Sequence, residues 1–488
     1  MKKYQTGSSA TLVCGNGEKE VDLRKVFFLL FMLFSTLFFT SCKKQAIDEE
    51  AAVSVAAISN GLERNNSAMM GINVLLNTNI TNAILNELEI YGRVKKVFPE
   101  IKALTMVIPG TSLNQIRTLN FVSFANPDAE ATLAPIDAVA VSDFSTGLST
   151  WNLDAINVTQ PGIGRTVAED GTGVYVGVLD TGLPDAWRQL FPQERIATQY
   201  AKSFGGGGAD MGTVSEQPNK WEHDQNTHGG HVTSTIIGYQ FGTVYFNGVA
   251  PKATIIPVKV LNQNGSGWWS VVAEGILYIA NLKAGVLHNS PVVINMSLGG
   301  PGEDALLRAA INYAISKGVI IVAAAGNSGS QGMGDPGAYQ PVISVAAAGW
   351  ISHFSTPTWW YAADIADPTN VNDFFIAPFS SRQKAGQDLD VVAPGVAVVG
   401  PYQLNSGKLS YYFLSGTSMA SPHVAGIVAL MAQKKPSLTA AEAETILESV
   451  ALPMGAGNRL INGSFPISWG ADASGSGFIT ADAALSGL

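Results

Sequence analysis

The stretch Val174-Tyr175-Val176-Gly177-Val178-Leu179-Asp180 decides the fold. It is an apolar run rich in β-branched residues that stops at a carboxylate. Its apolar character is continuous rather than alternating, so both faces of the strand it predicts must be buried. That is the pattern of a parallel sheet covered on both sides. Similar runs recur at 253–261, 292–296, 319–325 and 342–347, with helical stretches at 270–280 and 304–317 between them. Strands alternating with helices predict a doubly wound α/β architecture, mostly parallel, with helices on both faces. In such sheets ligands bind beyond the carboxyl ends of the strands.

Polar residues collect at those ends. Asp180 closes the first run and is followed by Thr181-Gly182. Asn327 follows another run, in Ala325-Gly326-Asn327-Ser328-Gly329. His228 opens a helical stretch, and Ser418 sits where a Gly-rich turn meets an Ala-rich helix. A serine hydroxyl needs an adjacent base to act as a nucleophile, and the base needs a carboxylate to orient it. Ser418, His228 and Asp180 supply those three groups. They are separated by 228 − 180 = 48 and 418 − 228 = 190 positions, so only folding can bring them together. Acyl transfer also needs donors for the developing oxyanion. The Asn327 amide and the Ser418 backbone N–H are candidates, aided by the positive end of the helix that follows.

In that chain order, the Asp180, His228 and Ser418 motifs resemble those of the subtilisin family of serine peptidases. The likeness extends to Gly248-Val249-Ala250-Pro251, to 292–300 (VVINMSLGG), to 323–327 (AAAGN), to 390–395 (DVVAPG), to 416–426 (GTSMASPHVAG) and to 475–481. It implies Ser418 as nucleophile, His228 as general base and acid, Asp180 as orienting carboxylate and Asn327 as oxyanion donor. It also implies Ser297-Leu298-Gly299 as the segment that pairs with extended substrate, and Gly334 as the floor of the pocket for the residue before the scissile bond. A neutral, roomy pocket there favours large apolar side chains. The substrates implied are proteins or peptides, and His228 is expected to set the acidic limb of activity. No cofactor is expected for catalysis. Structural calcium is common in the family, with no ligands assigned. Two departures stand beside the base: Gly230 where a Thr is usual, and Thr233-Ser234 where Ala-Gly is usual. The pairing of His228 with His231, near Glu222, His223 and Asp224, fits no metallohydrolase spacing.

Ahead of the catalytic region, residues 71–128 read β-α-β-β-α-β, a ferredoxin-like unit. It resembles the family's inhibitory propeptide, notably at Gly92-Arg93-Val94-Lys95 and 121–128 (FVSFANPD). Residues 129–150 have no period and read as a linker in which the propeptide is cut; 151–488 reads as the catalytic domain, since Trp151-Asn152-Leu153 resembles the family's start of it. Gly205 to Gly208 reads as a loop, lacking the Lys-Ser/Thr partner of a phosphate cradle. Trp359-Trp360-Tyr361, within 350–376, reads as a surface insertion that covers core.

The N-terminal region carries a different signal. Residues 26–39 (VFFLLFMLFSTLFF) follow Arg24-Lys25 and precede Ser41-Cys42. A charged start, an apolar run shorter than the roughly 20 residues of a membrane span, and small residues before a cut form an export signal. Cys42 after small residues resembles a lipoprotein site, so 1–41 is read as extension and signal, Cys42 as lipidated and 42–70 as a polar tether. The expected location is the bacterial cell envelope, through the N-terminal lipid, with a secreted form as the alternative. The net charge, 29 − 38 = −9, argues against nucleic-acid binding. The two cysteines, Cys14 and Cys42, exclude a disulfide scaffold and a Cys-based zinc site.

Overall fold

The Val/Ile/Ala runs form the middle of a nine-stranded sheet. The computed structural model describes residues 69–132, 137–140, 149–208, 213–241, 244–403 and 409–488. The stretch read as an export signal and the proposed lipidation site Cys42 lie outside the described residues. Among those described, no helix is long and apolar enough to cross a membrane.

The first described elements are β1 (Met69–Leu76), α1 (Asn82–Leu88), β2 (Arg93–Phe98), β3 (Ala103–Pro109), α2 (Leu113–Arg117) and β4 (Val122–Pro127). They build a four-stranded sheet in the order β2-β3-β1-β4, and the pairings of β1 with β3 and β4 and of β2 with β3 are all antiparallel. This is the predicted ferredoxin-like unit, starting two residues earlier than read. Ile72, Val74, Leu104 and Met106 of the strands form its buried core together with Ile116 of α2.

The stretch read as a linker contains two strands, β5 (Glu130–Thr132) and β6 (Asp137–Ala140). Neither has a period of its own, because each exists by adding to an edge elsewhere.

In the large body, α3 (Trp151–Ala155) leads to β7 (Tyr175–Asp180), β8 (Lys202–Gly206), β9 (Val214–Glu216) and α4 (His228–Ile237). Next come β10 (Thr254–Lys259), β11 (Ser266–Trp268), α5 (Trp269–Ala284), β12 (Val292–Met296) and α6 (Ala305–Ser316). Then follow β13 (Val319–Ala324), β14 (Ile343–Trp350), β15 (Phe374–Ile376), β16 (Val391–Pro394), β17 (Val398–Gln403), β18 (Leu409–Ser415), α7 (Thr417–Lys434) and α8 (Ala440–Val450). The sheet order is β9-β8-β10-β7-β12-β13-β14-β15, with β16 also on β14. The central pairings are parallel; β9 and β15 close the ends antiparallel.

Both faces are covered, which is why the strands read as continuous apolar runs. Helix α7 packs on one face against β12, β13 and β14. Helices α5 and α6 pack together over the other, with Ile276, Ile279, Leu307 and Ile311 buried.

Two expectations change here. The Gly205–Gly208 run is not simply a loop, since Gly205 and Gly206 belong to β8. The aromatic insertion contributes core: Trp359 and Trp360 are buried, and Trp359 lies 4.7 Å from His353, edge on.

The small sheet docks on α5 and α6. Phe98 and Ala103 enter the same apolar cluster as Ile276 and Leu307. Asp128 caps α5, its carboxylate accepting from Ser270 N–H at 3.2 Å and Ser270 Oγ at 2.6 Å. Asp304 caps α6, accepting from Leu307 N–H at 2.9 Å. Asn73 Nδ2 donates to both carboxylates, at 3.2 Å and 3.1 Å. Beyond the dock, β5 pairs antiparallel with β11, Thr132 opposite Ser266. β6 pairs antiparallel with β18, Asp137 opposite Ser415.

Candidate functional site

Asp180 is the last residue of β7, and His228 is the first of α4. Both are fully buried, and His228 Nδ1 lies 2.8 Å and 3.0 Å from the two carboxylate oxygens. The carboxylate therefore fixes the tautomer with its proton on Nδ1. Nε2 is buried and makes no hydrogen bond to a described residue. Thr227, just before the helix, holds φ at +65°. A β-branched residue there costs on the order of 1 kcal/mol or more, the kind of strain that functional sites retain.

Ser418 is the second residue of α7, which packs against α4. Its Oγ donates to the Ser297 carbonyl at 3.1 Å, and Ser297 Oγ donates to the Ser418 carbonyl at 2.8 Å. Asn295 continues the chain: its Nδ2 donates to Ser297 Oγ at 3.0 Å, and its Oδ1 accepts from Ser421 Oγ at 2.7 Å. The end of β12 is thus bolted to the first turn of α7. The structure brings Asp180 to His228 and Ser297 to Ser418, but no hydrogen bond joins His228 to Ser418.

Asn327 lies three residues beyond β13. Its Oδ1 accepts from Thr417 N–H at 2.9 Å and from Thr417 Oγ1 at 2.8 Å. Tying down the oxygen fixes the direction of the amide's donor end, beside Gly416 and the first turn of α7. The N–H groups of that turn have no acceptor within the helix. Two kinds of donor therefore converge near Ser418.

Gly334 lies beside the Ser297–Gly299 segment, because Gly300 and Asp335 form an antiparallel bridge. A side chain at Gly334 would start 2.3 Å from the Gly300 carbonyl oxygen, so close approach of the two segments requires glycine. The unusual Gly230 has a similar cause, since a Cβ there would lie 2.9 Å from Pro184 Cδ.

The other motif histidines are structural. His231 Nε2–H donates to the Val398 carbonyl at 3.1 Å, and burial holds its pKa down at about 3. His423 bridges the Met419 carbonyl and Asn152, and burial lowers it to about 4. The sequence reading missed Thr181, Asp224, Asn295 and Thr417. Their signal was proximity in sequence to the motif residues, which alone does not separate a partner from a bystander.

Among the described residues, one acidic group has metal-ligand spacing: Asp388, Asp390 and Glu444 offer oxygens within 4.8 Å of one another. Burial raises Asp390 to about 8 and Glu444 to about 7. One Asp390 oxygen is buried without a hydrogen bond. Three carboxylates with an orphaned buried oxygen fit a hard divalent cation.

A cleft of about 490 Å³ borders β11, lined among others by Phe204, Gln217, Lys220, Leu261 and Trp268.

The profile of the Subtilase family matches residues 171–470. Subtilisin DY from Bacillus licheniformis is 36% identical over 289 residues, covering 58% of this chain and 86% of that protein. A thermostable alkaline protease from Halalkalibacterium halodurans is 35% identical over 316 residues, covering 64% and 71%. Among solved structures, fervidolysin from Fervidobacterium pennivorans, described as a keratinolytic enzyme related to subtilisin, superposes with a TM-score of 0.60 at 25% identity. That match covers 88% of this chain and 62% of the fervidolysin chain.

Proposed function

The chain belongs to the subtilase family and is a subtilisin-type serine endopeptidase; from that premise we propose that Asp180, His228 and Ser418 are its catalytic triad. The observation that carries the assignment is the buried His228 Nδ1 contact with both oxygens of Asp180. Ser418 Oγ attacks the scissile carbonyl carbon while its proton passes to His228 Nε2. Asp180 steadies the imidazolium. The oxyanion is held by Asn327 Nδ2 and the Ser418 N–H. Collapse breaks the C–N bond, His228 returns the proton to the leaving amine, and water hydrolyses the acyl-enzyme by the same steps. No cofactor enters this chemistry.

Substrate pairs as an extended strand with Ser297-Leu298-Gly299, and Gly334 bounds a neutral pocket for large apolar residues before the scissile bond. A peptide library dominated by charged residues at that position would refute the pocket assignment. Residues 71–128 act as intramolecular inhibitor and folding aid. Support comes from the docking of this sheet on α5 and α6 and from the pairing of β5 and β6 with β11 and β18. The cut falls within 129–150. The enzyme is exported and anchored through lipid on Cys42; failure of Cys42→Ala to shift it from membrane to soluble fractions would refute the anchor. A calcium ion, when bound, would be held by Asp388, Asp390 and Glu444 and would offset their mutual repulsion.

The decisive experiment compares wild type with Ser418→Ala. Wild type should lose the small sheet and label with a fluorophosphonate, whereas Ser418→Ala should do neither and lose about 10⁶-fold in peptide hydrolysis, the scale known for subtilisin itself. Maturation of the pure Ala variant would overturn self-processing, and its labelling would overturn Ser418 as nucleophile.

A further inference from the structure

A second carboxylate lies behind the Asp180–His228 pair. Asp224, four residues before His228, is 3% exposed. Its Oδ1 accepts from Asn226 N–H at 2.9 Å, and its Oδ2 accepts from Thr181 Oγ1 at 2.6 Å. Thr181 joins several parts of the site. Its N–H donates to Asp180 Oδ1 at 2.7 Å, and its hydroxyl oxygen accepts from Gly229 N–H at 2.9 Å. Its carbonyl accepts from Lys259 Nζ, which also donates to the Leu261 carbonyl at 2.8 Å.

The direction of the hydroxyl proton matters here. A threonine hydroxyl has one proton and two lone pairs, and an ionised carboxylate only accepts. Asp224 therefore takes the Thr181 proton and leaves a lone pair for Gly229 N–H. Gly229 is the residue after His228, in the first turn of α4, whose N–H groups lack helical acceptors. One buried carboxylate thus orients one hydroxyl. That hydroxyl sets where α4 begins relative to the strand end that carries Asp180.

We propose that Asp224 is a positioning residue, holding His228 Nδ1 on Asp180 through Thr181 and the first turn of α4. The inference rests on the base role proposed for His228. Several charged or titratable groups face this network. Asp180 and Lys259 come from β7 and β10, Lys220 from the turn before α4, and Tyr402 from β17. His231 and His423 come from α4 and α7. Burial raises Asp224 to about 6, with Lys259 opposing that shift. Above that pH the carboxylate is ionised and the hydroxyl is directed as described.

The test uses the mature enzyme and a peptide substrate across pH, with active sites counted by burst titration. Thr181→Val should lower kcat about tenfold with KM nearly unchanged, and Thr181→Ser should restore most of it. Asp224→Asn should move the acidic limb of kcat/KM to lower pH, because a negative charge that favours imidazolium is gone. Three results would overturn the inference: wild-type kcat in Thr181→Val, an unmoved acidic limb in Asp224→Asn, or a loss that tracks melting temperature without rescue by serine. A wild type inactive on every peptide would instead refute the proposed triad, so the two failures are distinguishable.

Discussion

The chain contains two sheets that do opposite work. The large sheet is buried on both faces and uses the ends of its strands to aim side chains. Asp180 ends β7, Ser297 follows β12 and Asn327 follows β13. The small sheet is antiparallel, has its own modest core, and is fixed through one face to two helices of the large body. It aims backbone instead: the chain leaving it adds a strand to β11 and then another to β18. Polar groups at the ends of the large sheet should therefore govern rate without affecting the dock. Polar groups under the small sheet should govern the dock without affecting the chemistry.

The largest test of that separation is Asn327→Leu. In the mature enzyme it should lower kcat by about 10²–10³, the subtilisin scale for losing such a donor, with little change in KM. In a Ser418→Ala background, where the chain is expected to stay whole, hydrogen exchange of β1 to β4 should be unaltered. Faster exchange there would break the separation.

A smaller effect is expected from Asn73→Leu. Asn73 Nδ2 serves both Asp128 and Asp304, each buried. Losing one donor shared by two buried carboxylates should weaken the dock by about 1–3 kcal/mol. In the Ser418→Ala chain, exchange of the small sheet should accelerate accordingly, while that of β7 and β12 stays slow. In an otherwise wild-type chain, kcat of the matured enzyme should not change.

The large sheet was far more legible in the sequence than the small sheet's exit. Burial on both faces writes itself as uninterrupted apolar runs, and strand-end polar residues then mark the site. Asp180 and Asn327 are visible that way, while His228 and Ser418, at the starts of helices, are visible through the motifs around them. Residues 130–132 and 137–140 were not, because a strand that exists only by adding to an edge needs no apolar face. Gly205 and Gly206 read as part of a loop, yet they form strand backbone beside β9. In the sequence Asp224 stands only as a neighbour of His228. Its role depends on where Thr181 points its hydroxyl, which no spacing encodes. Gly230 looked like a departure from the family, but the Pro184 ring occupies the space a side chain would need.

The finest test of the comparison is pH. Burial raises the carboxyls of Asp128 and Asp304 above their ordinary range, opposed by the hydrogen bonds from Ser270 and Asn126 among others. Undocking would return Asp128 to water and its ordinary pKa. A carboxyl whose pKa is higher docked than free binds a proton on docking, so its contribution is complete below the free value and declines as pH rises through the docked value. The dock should hold best in acid and loosen toward neutral and alkaline pH. In the Ser418→Ala chain, exchange of β1 to β4, corrected for the intrinsic pH dependence of amide exchange, should speed up from pH 5 to pH 8. Asp128→Asn should flatten much of that rise. If protection instead grew with pH, the carboxylates would be stabilised by their caps more than penalised by burial. The small sheet would then be held by charge rather than released by it.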